Sequence, residues 1–247
     1  MTVRFFGKRA LVVGGTCELA VTLADLMMQE NLFPILTYRD DDGRNRIEDV
    51  LKDPKGRYAA YVLNLGDRSA LDDLFRTLGQ ELDYMVDFAQ GDLEGSVASS
   101  DEDLFYPYFR ENVAFRAELM KRAARVMLLK GRGRLVFVSS LAAVRANPGQ
   151  GFYAAAKSAS EALYRNLGLE LGARGVTTVN LRPGYIDSGR GRDFLQRMEH
   201  QPLQNVPIRR ALTKEEVADT IMFLLSDSAL GINATELIMD GGLTSGK

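Results

Sequence analysis

Three side chains, Ser140, Tyr153 and Lys157, are of types that together can move a proton onto or off an oxygen atom. Lys157 follows Tyr153 by four residues, in Tyr153-Ala-Ala-Ala-Lys157, and Ser140 ends an apolar run thirteen residues before the tyrosine. On a helix, residues four apart share a face, so the ammonium can sit beside the phenol. A phenol with a pKa of about 10 is a poor acid at neutral pH, and an adjacent ammonium lowers that pKa by favouring phenolate. A neighbouring hydroxyl can hold a carbonyl oxygen while the phenol donates its proton. Such a set reduces a ketone or oxidises an alcohol. Alone, a Tyr-x-x-x-Lys spacing also occurs in helices with no such role, so its surroundings decide.

Those surroundings alternate short apolar runs with longer amphipathic stretches. Residues 10–13, 33–37, 58–63, 84–88, 135–138 and 176–181 are predicted strands, and a last strand is predicted over 236–239. Helical periodicity covers 19–29, 69–78, 115–129, 154–171 and Lys214–Leu225. Strands alternating with helices predict an α/β fold, a doubly wound parallel sheet of about seven strands with helices on both faces. No low-complexity or Pro/Gly-rich linker divides the chain, so 1–247 reads as one domain. The exception to the pattern is 185–211, an irregular stretch holding Pro202 and Pro207. Placed after the sixth strand, at the carboxyl edge of the sheet, it is expected to be a substrate lid rather than a solvated loop.

Composition narrows the function classes. The chain has 247 residues, enough to bury a substantial core. Its 31 Lys plus Arg against 33 Asp plus Glu leave a net charge of −2, which gives no bulk attraction to nucleic acid or anionic lipid. The longest apolar runs are too short for a bilayer, and the N-terminal stretch runs into glycines and polar residues unlike a signal peptide. The single cysteine, Cys17, can form neither an internal disulfide nor a zinc site by itself. A cytoplasmic enzyme is expected.

In a doubly wound sheet, the first strand-to-helix turn binds a pyrophosphate through close backbone approach and a helix N-terminus. Here that turn reads Gly14-Gly15-Thr16-Cys17-Glu18-Leu19-Ala20. The placement is right, but Glu18 and Ala20 stand where further glycines are expected. A carboxylate beside a pyrophosphate is repulsive unless it points away, and the turn alone also fits a tight bend without a ligand. The tip of the second strand distinguishes the cofactors. Tyr38 is followed by Arg39, which suits the extra phosphate of NADP(H), whereas Asp40, Asp41 and Asp42 leave the ribose diol of NAD(H) open.

Taken together, these positions resemble the short-chain dehydrogenase/reductases, of the compact single-domain (Rossmann-fold) branch, over essentially the whole chain. The resemblance rests on the Gly14-Gly15 turn, Asn112 in the fourth helix, Ser140, Tyr153-x-x-x-Lys157, Pro183-Gly184 and Asp240-Gly241-Gly242, all in order. It implies a catalytic tetrad of Asn112, Ser140, Tyr153 and Lys157. Tyr153 would be the general acid or base and Ser140 would polarise the carbonyl. Ser139 is the alternative hydroxyl, and the thirteen-residue spacing to the tyrosine selects Ser140. Lys157 would lower the tyrosine pKa and bind the nicotinamide ribose, and Asn112 would hold a water of a proton relay. The implied cofactor contacts are Gly14, Thr16, Cys17, Glu18, Leu19, Tyr38, Arg39, Asn64, Leu65, Ala89, Pro183, Gly184, Ile186 and Ser188, with Tyr153 and Lys157. Ser188 would meet the nicotinamide carboxamide. Asp87-Phe88-Ala89-Gln90 stands where the family usually has Asn-Asn-Ala-Gly, so Glu18, Asp87 and Gln90 depart from its pattern.

The chain looks nearest to the 3-oxoacyl-[acyl-carrier-protein] reductases, by Pro207-Ile-Arg-Arg-Ala-Leu-Thr-Lys-Glu-Glu-Val-Ala and Leu237-Ile-Met-Asp-Gly-Gly. Sugar, steroid and polyol dehydrogenases share those stretches. The resemblance thus implies a small carbonyl or alcohol substrate, with an acyl-carrier-protein or CoA thioester among the options. Cations for an acidic carrier at the site mouth are sought in Lys130, Arg132 and Arg174. Arg190 and Arg192 are candidates for a phosphopantetheine phosphate, and each of the five has the alternative of an ordinary solvated charge. His200, the only histidine, reads as a surface residue. The resemblance also implies a homotetramer or homodimer. Three competing readings are a 2-enoyl reductase, against which the short Tyr–Lys spacing argues, a sugar or polyol dehydrogenase using NAD, and a catalytically idle dinucleotide-binding sensor or subunit.

Overall fold

A computed structural model describes residues 4–52 and 56–245. Seven strands form one sheet. They are β1 (Arg9–Val13), β2 (Phe33–Tyr38), β3 (Ala59–Val62), β4 (Tyr84–Asp87), β5 (Gly133–Val138), β6 (Val176–Pro183) and β7 (Thr235–Met239). Their spatial order is β3-β2-β1-β4-β5-β6-β7, and every pairing is parallel. Parallel strands buried on both faces read as unbroken apolar runs, which is why these segments are legible without alternation.

Successive residues of a strand point to opposite faces. Ala10 and Val12 of β1 accordingly join the core under α1 (Glu18–Gln29) and α8 (Lys214–Leu225). Leu11 and Val13 join the opposite core, under α3 (Arg68–Leu78), α5 (Phe115–Lys130) and α6 (Gly151–Leu171). The chain winds outward from β1 to β3 and then returns to place β4 on the other side of β1. That reversal opens a crevice beyond the carboxyl ends of β1 and β4, the position at which such sheets bind ligands.

The seven expected strands and the expected helices are all present, with ends shifted by a few residues. Three helical segments differ from expectation. The first, α2 (Asp41–Leu51), was not expected: its buried face holds only Gly43, Ile47 and Leu51, with two apolar side chains in a largely charged segment. Its N-cap is Asp40, whose side chain accepts from the Gly43 amide at 2.9 Å. The second lies ahead of α5, where α4 (Phe105–Phe109) runs into a π-helical turn at Arg110–Ala114. Asn112 therefore sits on a widened turn rather than in a regular helix, and such turns re-aim backbone carbonyls. The third is the irregular stretch 185–211, which contains α7 (Gly189–Arg197) and a 3₁₀ turn at Gln201–Asn205. With two glycines and Leu195 as its one buried side chain, α7 carries no apolar stripe to betray it.

Among the described residues, no helix is long and apolar enough to cross a membrane, and no group of three or more His, Cys, Asp or Glu is placed to hold a metal ion.

Candidate active site

Ser140 leaves β5 and caps a 3₁₀ turn at Leu141–Ala143, its Oγ accepting from the Ala142 amide at 3.2 Å. The Ser158 hydroxyl, on α6, donates to the Ala143 carbonyl at 2.8 Å and so ties that turn to the helix bearing the tyrosine. Ser140 is thereby held near enough to Tyr153 for its hydroxyl to act on the phenol. Burial raises the Tyr153 pKa, while the nearby Ser140 hydroxyl and the charge of Arg190 act against that rise. Ser139 is buried beside β6, with its amide on the Leu181 carbonyl at 2.7 Å.

Lys157 is buried, one helical turn past Tyr153. Its Nζ lies 5.8 Å from the centre of the Tyr153 ring and donates to the Val138 carbonyl at 2.7 Å. Burial, followed by the charge of Arg116, depresses its pKa to about 7, so the ammonium is gained and lost around neutrality. Asn112 is fully buried. Its side chain accepts from the Gly91 amide at 2.6 Å and donates to the Tyr108 carbonyl at 2.9 Å, which locks the turn against the loop after β4. Its own carbonyl accepts from Arg116 and from the Ser160 hydroxyl, the latter at 3.4 Å. The four expected tetrad positions thus converge at the carboxyl edge of β4 and β5.

The other expected contacts line the same edge. Tyr38 ends β2 and Arg39 follows it, Asn64 and Leu65 follow β3, and Ala89 follows β4. Pro183 ends β6, Gly184 and Ile186 follow it, and Ser188 is the N-cap of α7. Gly14 has φ +74°, and a Cβ there would stand 2.8 Å from the Ala89 nitrogen, so the turn can pack against the end of β4 only as glycine. Its amide donates to Thr37 Oγ1 at 3.0 Å, and the Gly15 amide to the Thr37 carbonyl at 2.9 Å. Thr16, Cys17, Glu18 and Leu19 then open α1, whose N-cap, Cys17, makes no side-chain cap. Uncapped first-turn amides favour an anion, so the turn fits a dinucleotide phosphate.

The Glu18 carboxylate is not free to repel such a group. It accepts from Ser188 Oγ at 3.3 Å and from Arg192 at 2.9 and 3.3 Å. Arg192 in turn donates to the Asp187 side chain at 2.9 Å. Burial pushes the Glu18 pKa up, but the Arg192 pairing outweighs it and holds the carboxyl below its usual range. Asp87 and Gln90 are engaged as well. Asp87 pairs with Arg116 at 2.7 Å and accepts from the Tyr164 hydroxyl at 3.2 Å, while Gln90 donates to the Tyr108 hydroxyl at 2.7 Å. At the tip of β2, Arg39 is largely exposed, 3.4 Å from Asp40. Asp40 is occupied in capping α2 and in pairing with Arg39, while Asp41 and Asp42 lie in the first turn of α2.

The expected mouth cations are only partly there. Arg190 lies on α7 with its guanidinium 6.0 Å from the centre of the Tyr153 ring and 3.3 Å from Asp92. Lys130, Arg132 and Arg174 are not at the mouth. Lys130 ends α5 and pairs with Asp83, just before β4, Arg132 stacks on Phe6 at 5.4 Å, and Arg174 ends a 3₁₀ turn one residue short of β6. Helices run antiparallel to the strands they cover, so helix C-termini fall at the opposite edge of the sheet from the site. His200 is exposed, in a left-handed turn.

Several residues of the site were missed from sequence, chiefly Arg116, Tyr108 and Tyr164. The available signal was a charge on the apolar face of α5, where Arg116 shares the period of Leu119, Met120 and Ala123. A buried arginine demands a buried counter-charge.

Comparison with known proteins agrees with this geometry. The family model described as enoyl-(acyl carrier protein) reductase matches residues 17–244. The 3-oxoacyl-[acyl-carrier-protein] reductase FabG of Haemophilus influenzae is 28% identical over 240 residues, 96% of this chain and 98% of that protein. A solved structure described as a short chain dehydrogenase/reductase family protein has a TM-score of 0.86 at 28% identity, covering 99% of this chain and 100% of that one. A gluconate 5-dehydrogenase from Burkholderia cenocepacia, solved with NADP and tartrate, shares the fold with a TM-score of 0.88 at 22% identity, covering 99% and 98%. The chain therefore belongs to the short-chain dehydrogenase/reductase family of oxidoreductases.

Proposed function

We propose that the protein is an NADP(H)-dependent reductase of ketones, 3-oxoacyl thioesters among them, with Tyr153 as the general acid. The observation that carries this reading is buried Lys157 with its Nζ 5.8 Å from the centre of the Tyr153 ring, beside the Ser140 turn that Ser158 ties to the same helix. In reduction, Ser140 and the phenol converge on one carbonyl oxygen, and the tyrosine proton passes to it as charge develops there. Lys157 supports phenolate in its ammonium form, and that form is lost as pH rises through about 7. The cofactor, when bound, supplies the hydride.

The uncapped turn at α1 would take the pyrophosphate, and Arg39 the extra phosphate of NADP(H), because Asp40 is committed to its helix cap. Residues 185–211 would act as a lid, since α7 carries Arg190 over the Tyr153 ring. With Lys130, Arg132 and Arg174 on the far edge, an acidic carrier would rely on Arg190, while Arg192 is taken up by Glu18. Exposed Leu129 on α5 and Leu169 on α6, with Ile238 on the edge strand β7, support a homodimer or homotetramer.

The description of the matching family model favours a second reading, reduction of a 2-enoyl thioester. The four-residue Tyr–Lys spacing and the serine beside the phenol favour the ketone. Both are tested in one experiment, with purified protein given NADPH or NADH and a panel of 3-oxoacyl thioesters, 2-enoyl thioesters and sugar ketones. NADPH-dependent turnover of a ketone, lost by at least about a thousandfold in Tyr153→Phe while NADPH still binds, is the expected result. Undiminished turnover in that variant, or turnover of enoyl substrates alone, overturns the reading. Failure to bind either nucleotide would favour an idle sensor.

A further inference from the structure

Arg116 reaches from α5 into the interior with 2% of its side chain exposed. Its Nε donates to Asp87 Oδ2 at 2.7 Å and its Nη1 to the Ser160 hydroxyl at 2.8 Å and to the Asn112 carbonyl. Its Nη2 donates to the Ala89 carbonyl and, at 3.5 Å, to Gln90. One guanidinium thus joins the end of β4, the π-helical turn and α6. It also lies against the same aromatic ring as the lysine of the site. Arg116 Cζ lies 4.8 Å from the centre of the Phe137 ring and Lys157 Nζ lies 4.7 Å from it, so the two cations are no further apart than those distances added. Among the described residues, no carboxylate is within ion-pairing distance of Lys157, whereas Arg116 has Asp87 in contact. The charged and titratable groups that face Lys157 are Asp87 from β4, Arg116 from α5, Tyr153 and Glu161 from α6, and Arg190 from α7.

We propose that Arg116 and Asp87 are a pair of positioning residues for Lys157, fixing the walls around Nζ and setting how much of the lysine is charged, with Arg116 opposing the ammonium and Asp87 favouring it. This rests on the reading of Lys157 as the cation of the proton-transfer site. Unit charges roughly 9 Å apart at an effective dielectric of about 20 interact by about one pH unit, enough to move a group poised at neutrality from mostly charged to mostly neutral. Burial is the first cause of the low Lys157 pKa. Arg116 is the second, and Asp87 opposes both. The position matching the family's asparagine is thus occupied in this chain by one half of a buried ion pair whose other half acts on the lysine.

The test titrates the Lys157 ammonium directly, on the full chain labelled with ¹⁵N-lysine and followed by NMR, with Lys157→Met to assign the resonance. Removing a neighbouring cation stabilises the ammonium, so Arg116→Met should raise the Lys157 midpoint by about one pH unit or more. Asp87→Asn should lower it by a similar amount, the double variant should fall between the two, and Arg116→Lys should stay near the parent. Midpoints that do not move in either single variant, or that move the same way in both, overturn the proposal. Should Arg116→Met fail to fold, Asp87→Asn decides, since a purely structural pair leaves the midpoint where it was. The resonance reports the charge of Lys157 whether or not the protein turns over a ketone. Shifted midpoints without turnover therefore sustain this inference while refuting the proposed function.

Discussion

Glu161→Gln should cost far more stability than one surface charge. Glu161 lies one turn beyond Lys157 on α6, and its carboxylate takes both forks of Arg182 on β6. Nε donates to Oε1 at 2.7 Å and Nη2 to Oε2 at 2.5 Å. The two side chains are 4% and 11% exposed. A solvated pair would be worth about 0–1 kcal/mol. Removing one partner of a buried pair costs about 3–5 kcal/mol, because the remaining charge is stranded without water. Glutamine keeps one acceptor, and Glu236 remains 4.0 Å from Arg182, so the lower end, about 3 kcal/mol, applies. For a chain of this size each kcal/mol lowers Tm by about 2–4 °C, so a drop of about 6–12 °C is expected. Thermal and urea denaturation at fixed protein concentration measure it. Arg182→Met should be comparably costly, and the double variant should cost clearly less than the two together, since no charge is then stranded. A Glu161→Gln loss below about 1 kcal/mol, or strict additivity in the double variant, would refute a desolvated pair clamping α6 to the sheet.

Two further outcomes are expected. Gly14→Ala should destabilise by at least about 2 kcal/mol in urea denaturation, from left-handed backbone strain plus the 2.8 Å approach to the Ala89 nitrogen. On acidification, Glu216 should contribute to unfolding: the Arg210 hydrogen bond, with the Thr213 amide, lowers its pKa to about 2. A depressed carboxylate gives stability that is complete above the unfolded pKa of about 4.3 and lost as pH falls toward 2, so Glu216→Gln should flatten the stability profile over that window. With a third of that side chain in water, the contribution is about 1 kcal/mol or less.

What was legible in the sequence was whatever short-range chemistry fixes. Short apolar runs such as Ala10 to Val13 must be buried on both faces, and they give the sheet. The Tyr153–Lys157 spacing places both on one helical face, and a capping turn at Ser140 brings in the hydroxyl. Helix α2 escaped because only two of the three residues on its buried face, Ile47 and Leu51, are apolar, and the rest of the segment is largely charged. Its one local signal, Asp40 as N-cap, competed with a reading of the same carboxylate as a ribose ligand. The cations at Lys130, Arg132 and Arg174 were placed by proximity in the chain, and the direction of the helices puts them at the wrong edge.

The departures from the family pattern show the same division from the other side. Glu18 reads as a charge pointed at a phosphate only while its surroundings are local. Its partner Arg192 stands 174 residues further on, and no periodicity or motif links the two. Asp87 and Gln90 likewise read as losses until Arg116 and Tyr108 are seen against them. In each case a residue that looks unfavourable alone is neutralised by a side chain from a distant element. The proton-transfer half of the site can be read from spacing because one helix and one strand end carry it. The proposed dinucleotide half would be assembled from the ends of β1, β2, β3, β4 and β6 with the start of α7. There Glu18 and Asp87 are each met by an arginine far away in sequence, so the pair rather than the single position is the unit to read.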